Sequence, residues 1–466
     1  MRKIAFIFLL IFNFGFSQTE DKDQLKSIYD KALTDGKAYD WLNHLSNQIG
    51  GRLSGSVQAQ QAVDYTKAEL EKLGLDRVWL QPVMVPKWVR GLPEHAYIVS
   101  GNDDTINVPI CALGGSVATP ALGIKANVIE VQGIEDLEKL GRKKIEGKIV
   151  FYNRPMEPTN ISTFTSYGGC VDQRYSGAAE AGKYGAVGVV VRSMSLRMDD
   201  YPHTGAMSYG DLPVDKRFPA AAISTNGVKL LSTALKLDTN TKFYFRQLCK
   251  QMKDVQSFNV IGEIKGSTYP NEIMVVGGHL DSWDLGTGAI DDASGCGITM
   301  AAAKLIKDHI GQPKRTIRVT LWANEENGLS GAKAYHEAHK GEMKQHIFGG
   351  ESDFGAGTIY EFGTRMDEKA MPLAHEMMQL LKPLGIEYAG NDASSGADLI
   401  PMRAAGMAVF GLKQDGTDYF DYHHTANDTL DKIDPKELAQ NVAAWVVVTA
   451  LAANTTENFG FDLSDK

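Results

Sequence analysis

The stretch MVVGGHLDSWDLGTGAIDDASGCG, residues 274–297, sets His279 and four aspartates, Asp281, Asp284, Asp291 and Asp292, in a glycine-rich loop behind an apolar run. Three later strand-like runs end in groups of the same kind. LWANEENG carries Glu325 and Glu326, GGESDFGAG carries Asp353, and YHHTANDT carries His424. In open α/β sheets, sites form where strands end and loops begin. Each group also has a plainer reading. Asp291 or Asp292 can cap the helix that starts at 294, Glu325 and Glu326 can be a solvated loop, and His424 can be a surface histidine. Convergence weighs against these readings, because four separate strand ends of one sheet all supply imidazole or carboxylate.

Mixed imidazole and carboxylate ligands suit zinc. Two histidines and three carboxylates exceed one tetrahedral site. They fit two metals about 3.5–4 Å apart with one carboxylate bridging. Consecutive residues at a strand end splay apart, so of Glu325 and Glu326 one can bind metal while the other holds a proton. A water between two zinc ions has its pKa lowered towards ~7. A neighbouring carboxylate can take its proton and pass it to a leaving amine. A metal-bound histidine needs its second ring nitrogen anchored, and Asp281, two residues beyond His279, is the partner expected.

The elements that must position these groups read as an α/β fold. SVQAQQAVDYTKAELEKLGL has helical periodicity and is stopped by Gly74. RVWLQPVMVP and HAYIVSG read as strands. From 251 strands and helices alternate, which implies a mostly parallel, mixed sheet with helices on both faces. The last helix starts at DPKE, where Asp434 can cap, Pro435 suits the first position and Glu437 can complete a capping box. Residues 118–250 differ. Short β-rich runs alternate there with Gly, Ser, Met and Tyr, without a histidine–carboxylate cluster. They read as an inserted β-rich domain with no chemistry of its own. The expected organisation is thus a leader at 1–18, a catalytic domain in two segments at 19–117 and 251–466, and the insert at 118–250.

MRKIAFIFLLIFNFGFSQ has the positive start, short apolar run and small polar close of a secretory signal. The run is shorter than the ~20 residues of a membrane span. The expected product is secreted, periplasmic or extracellular. Cleavage removes Arg2 and Lys3 and takes the net charge from −9 to −11. That charge disfavours a nucleic-acid partner. Four cysteines permit three pairings if all are bridged; one disulfide or none is expected, and Cys296 reads as a small buried hydrophobe.

GGHLDSWDLGTGAIDDASG, WANEENGLSGAKAY, ESDFGAG and HHTANDTLD together resemble, in order and spacing, the co-catalytic di-zinc exopeptidases of the aminopeptidase/glutamate carboxypeptidase family. The resemblance spans essentially the whole mature chain, and the insert resembles a protease-associated domain. It implies two zinc ions per chain. His279 and Asp353 would hold one, Glu326 and His424 the other, and Asp291 would bridge them. Glu325 would be the general base and acid, and the peptide bond Asp291–Asp292 would be cis. It implies hydrolysis of dipeptides or short peptides with a free terminus, and favours a homodimer. One departure stands out. Many relatives place tyrosine before the last ligand histidine, where this chain has His423, so the donor to the transition-state oxygen is open. Rival readings are an aminopeptidase of this fold, a single-zinc acyltransferase resembling glutaminyl cyclases, and a non-catalytic binding ectodomain. HEAH, 336–339, lacks the i, i+4 spacing of helical zinc ligands.

Overall fold

A computed structural model describes residues 25–100 and 103–460. The leader expected at 1–18 lies outside them. One eight-stranded mixed sheet runs in the order Arg77–Val85, Val255–Ile264, Arg315–Trp322, Tyr269–His279, His346–Glu351, Ala408–Gln414, Ile359–Arg365, Glu387–Gly390. Its four central strands, Arg315–Trp322 to Ala408–Gln414, are parallel, and both flanks add antiparallel pairs.

Alternation along the central strands explains the layers. Met274 and Val276 join one core with the helices Ser294–His309 and Pro435–Asn454. Ile273 and Val275 join another with Tyr335 and Met402 on the opposite side. Successive strand residues point to opposite faces, so a run apolar at every position must be covered twice. Helix Ser294–His309 starts where Asp292 Oδ1 accepts from Gly295 N at 2.9 Å. Gly295 itself is fixed by space, since a Cβ there would lie 1.9 Å from the carbonyl oxygen of Ser352. The helix therefore approaches the strand ends closely enough to bring Asp291 among them.

At Pro435–Asn454 the cap is as expected, with Asp434 Oδ1 accepting from Lys436 N at 2.7 Å. Glu437 does not reach back as a capping box would. Its Oε1 accepts from Thr358 Oγ1 at 3.0 Å instead, because that hydroxyl lies beside the first turn. All four cysteines are buried and unbridged. Among the described residues no helix is long and apolar enough to cross a membrane.

The second eight-stranded sheet is built from residues 95–246, with His95–Val99, Thr105–Asn107 and Ile110–Ala112 among its strands. It therefore starts before residue 118, the boundary expected. His95–Val99 pairs with Lys242–Arg246, and Ile110–Ala112 with Ala220–Ile223. Nothing in an apolar run of that length states which sheet it will join.

Candidate metal centre

The centre lies at the carboxyl ends of the four parallel strands. His279 ends Tyr269–His279, Glu325 and Glu326 follow Arg315–Trp322, Asp353 follows His346–Glu351, and His424 follows Ala408–Gln414. Asp291 sits between the two histidines. His279 Nε2 is 3.0 Å from Asp291 Oδ1 and 3.2 Å from Asp353 Oδ1. His424 Nε2 is 3.2 Å from Asp291 Oδ2 and 3.0 Å from Glu326 Oε2. Each oxygen of Asp291 thus faces a different imidazole. The bond Asp291–Asp292 is cis. His424 takes a left-handed backbone, φ 63°, uncommon for a residue with a Cβ and enriched at sites.

The hydrogen bonds assign tautomers. His279 Nδ1–H donates to the carbonyl oxygen of Asp281 at 2.9 Å. His424 Nδ1–H donates to the carbonyl oxygen of Thr204 at 3.3 Å. Both rings therefore turn Nε2, the lone-pair nitrogen of that neutral tautomer, towards the carboxylates. The expected partner for His279 was the Asp281 side chain. The carboxylate lies farther off, Oδ1 to Nδ1 3.9 Å. Its Oδ1 accepts from Glu325 N at 3.0 Å, so Asp281 ties the two strand ends together.

Charge in the bare cluster is unbalanced. Burial, and then the charges of Asp353, Glu326 and Asp291, push the Glu325 carboxyl well above its usual range against the pull of His279. Burial and Asp291 likewise raise Glu326. For His424 burial opposes the charged ring, but Glu326 and Asp291 outweigh it and lift the group to about 9. Glu326 Oε1 and Asp281 Oδ2 are buried without a hydrogen-bond partner. Converging carboxylates, imidazole Nε2 atoms aimed at them and orphaned oxygens are what a cation would satisfy. One atom each of His279, Asp291 and Asp353 lies within 4.8 Å of the others, as does one each of Asp291, His423 and His424. The donor set fits zinc.

His423, open as donor or competing ligand, stacks on His424 at 3.5 Å between ring centroids. Its Nε2 stands 3.5 Å from Asp291 Oδ2, farther than that of His424. Burial, and then the neighbouring His424, hold its pKa well below the usual value.

Several residues that support the site were not singled out from sequence. Trp283 Nε1–H donates to Glu326 Oε2 at 2.6 Å. Arg52, wholly buried, donates to the carbonyls of Leu45, Gly50, Leu280, Thr287 and Gly288. Arg90 holds Asp284 of the loop, Nη2 to Oδ1 2.6 Å, and donates to Thr204 Oγ1. Thr204, Tyr167 and Arg174 come from the segment read as having no chemistry, yet Tyr167 and Arg174 line the same cavity as Asp291, Glu325, Glu326 and Asp353. Trp283 stood inside the motif, in SWD. Nothing in the spacing marked the others.

Residues 259–449 match peptidase family M28 and contain His279, Asp291, Glu325, Glu326, Asp353 and His424. The chain is 37% identical to carboxypeptidase Q of Xenopus laevis over 94% of this chain and 90% of that protein. The chain belongs to peptidase family M28. It is an enzyme, a metallopeptidase. Human carboxypeptidase Q is 35% identical over 92% of this chain and 88% of that protein. A peptidase M28 precursor from Shewanella amazonensis superimposes with a TM-score of 0.91 at 40% identity, over 95% of this chain and 99% of that one. A zinc aminopeptidase from Bacillus subtilis shares the fold at a TM-score of 0.63 and 19% identity, over 92% of this chain and 98% of that one.

Proposed function

We propose that this M28 chain is a secreted di-zinc exopeptidase that hydrolyses dipeptides or short peptides with a free terminus. The observation that carries the reading is Asp291, one oxygen facing His279 beside Asp353 and the other facing His424 beside Glu326. His279 and Asp353 would hold one zinc, Glu326 and His424 the second, with Asp291 shared. Zinc held there supplies a Lewis acid and lowers the pKa of water towards ~7.

Glu325 binds no imidazole and lines the cavity, and its raised pKa suits a group that accepts a proton from the attacking water and returns it to the departing amine. Asp281 sets its position through the backbone N–H of Glu325. The cavity, about 1070 Å³, has room for a short peptide. Similarity to carboxypeptidase Q across nearly the whole chain supports a peptide substrate.

The test is metal content by mass spectrometry beside hydrolysis of a free-dipeptide panel, for wild type and Glu325→Gln. The reading expects about two zinc per chain in both proteins, and kcat lowered about 10²–10⁴-fold in the variant. One zinc per chain, with no dipeptide cleaved after zinc is resupplied, overturns it in favour of the acyltransferase.

A further inference from the structure

We propose that Tyr167, held by Arg174, is a catalytic residue that donates its phenolic proton in a hydrogen bond to the scissile carbonyl oxygen as that oxygen gains negative charge. The inference rests on the peptidase reading above. Hydrolysis of a peptide bond builds charge on one oxygen, and a donor already in place there is worth more than any donor that must move. The groups that crowd the centre, Asp291, Glu325, Glu326, Glu351 and Asp353, are acceptors when ionised. Apart from His423, a donor has to come from another wall of the cavity.

Tyr167 lies on helix Thr163–Gly168 and Arg174 on Val171–Tyr175, both between strands of the second sheet. Arg174 Nη2 donates to the Tyr167 hydroxyl oxygen at 2.7 Å. The hydroxyl proton is therefore turned to another acceptor, and a phenol that accepts from a guanidinium is itself a stronger donor. The phenol ring is clamped. It stacks on Phe420 at 4.5 Å and meets the edge of His423 at 5.5 Å, and His423 lies flat on His424.

Arg174 is fixed as firmly. It is 7% exposed, and its Nη1 donates at 3.4 Å to the Thr204 carbonyl, the same oxygen that receives His424 Nδ1–H. One carbonyl thus ties the guanidinium to the imidazole. Gly205 lies flat beside it at φ 140°, where a Cβ would be 2.4 Å from Nη1. Tyr419, another phenol of this cavity, packs against Phe354. Among the described residues it shows no such guanidinium bond.

Tyr167→Phe, Arg174→Lys and Tyr419→Phe would be compared with wild type, all zinc-loaded. Readouts are zinc content, kcat and KM on a free dipeptide, and calorimetric affinity for a phosphonate dipeptide analogue whose tetrahedral phosphorus mimics the transition state. Tyr167→Phe is expected to keep its zinc and its KM within about twofold, while kcat and phosphonate affinity fall together by about 10²-fold. Arg174→Lys, which keeps the charge but loses the fork, is expected to fall between wild type and Tyr167→Phe. Wild-type kcat and phosphonate affinity in Tyr167→Phe overturn the inference alone, as does a loss confined to Tyr419→Phe. A zinc-loaded wild type that cleaves no dipeptide overturns the peptidase reading first, and this inference with it.

Discussion

At Glu326, Oε2 meets both the Trp283 indole N–H and His424 Nε2, while Oε1 is buried without a partner. Trp283 therefore decides which way the carboxylate turns. Trp283→Phe keeps most of the ring and removes the donor. Groups that orient metal ligands typically contribute 10–100-fold in affinity. Zinc affinity of Trp283→Phe, measured by competition with a chromogenic chelator, is expected to fall about 10–100-fold. An unchanged affinity would show that Glu326 needs no such orientation. The residues placed at the centre were legible because imidazoles and carboxylates at strand ends are uncommon in number and type. Trp283 was not, because an indole reads as core until its N–H is seen to find an acceptor. The anchor of His279 was misread for a related reason. A side chain is visible in a sequence, but the carbonyl that outcompetes it is common to every residue.

One buried guanidinium closes the loop between strand Tyr269–His279 and helix Ser294–His309. Arg52 gathers carbonyls from Leu280, Thr287 and Gly288 together with Leu45 and Gly50, so it fixes the path that brings Asp291 back towards His279. Each carbonyl left buried and unpaired costs ~1–3 kcal/mol, although water can recover part of that. Arg52→Met is expected to lose about 3–5 kcal/mol in urea unfolding and to lower zinc occupancy with it. A loss below ~1 kcal/mol would mean that the loop holds its shape unaided. Helices and strands of the catalytic sheet were readable from apolar period and caps, since those signals are local. The allegiance of His95–Val99 was not, because pairing with Lys242–Arg246 is settled by residues about 145 positions away in the chain. Nor was the second sheet's part in the site, since Thr204 reaches His424 through a backbone carbonyl that any residue offers.

Two consequences belong to the whole molecule. Zinc that binds the folded chain and not the unfolded one stabilises it by mass action, by ~2.7 kcal/mol at a free concentration one hundred times Kd. Chelation is thus expected to lower Tm, and added zinc to restore it. A Tm indifferent to both would argue against tight binding. The second consequence is an acid sensitivity independent of the metal. His346 is wholly buried in the catalytic domain, with Nδ1–H donating to the Glu342 carbonyl at 3.2 Å and Nε2 accepting from Tyr335 at 2.8 Å. Burial, and then the Arg318 charge, lower its pKa to about 3. The unfolded histidine titrates near 6.5. Between those values the unfolded chain carries the extra proton, so stability is complete above pH ~6.5 and is lost as pH falls towards 3. Each pH unit well inside that window costs ~1.4 kcal/mol for one such group. Urea unfolding of the metal-free chain is therefore expected to weaken from pH 7 to 4.5 by ~2–3 kcal/mol from His346 alone. His203, also lowered to about 3 by burial and then by His424 and Arg174, acts in the same direction. In His346→Gln the starting stability falls, but the dependence on pH between 6.5 and 4.5 is shallower by close to one proton. An unaltered slope in that variant would mean that His346 takes up its proton in the folded chain.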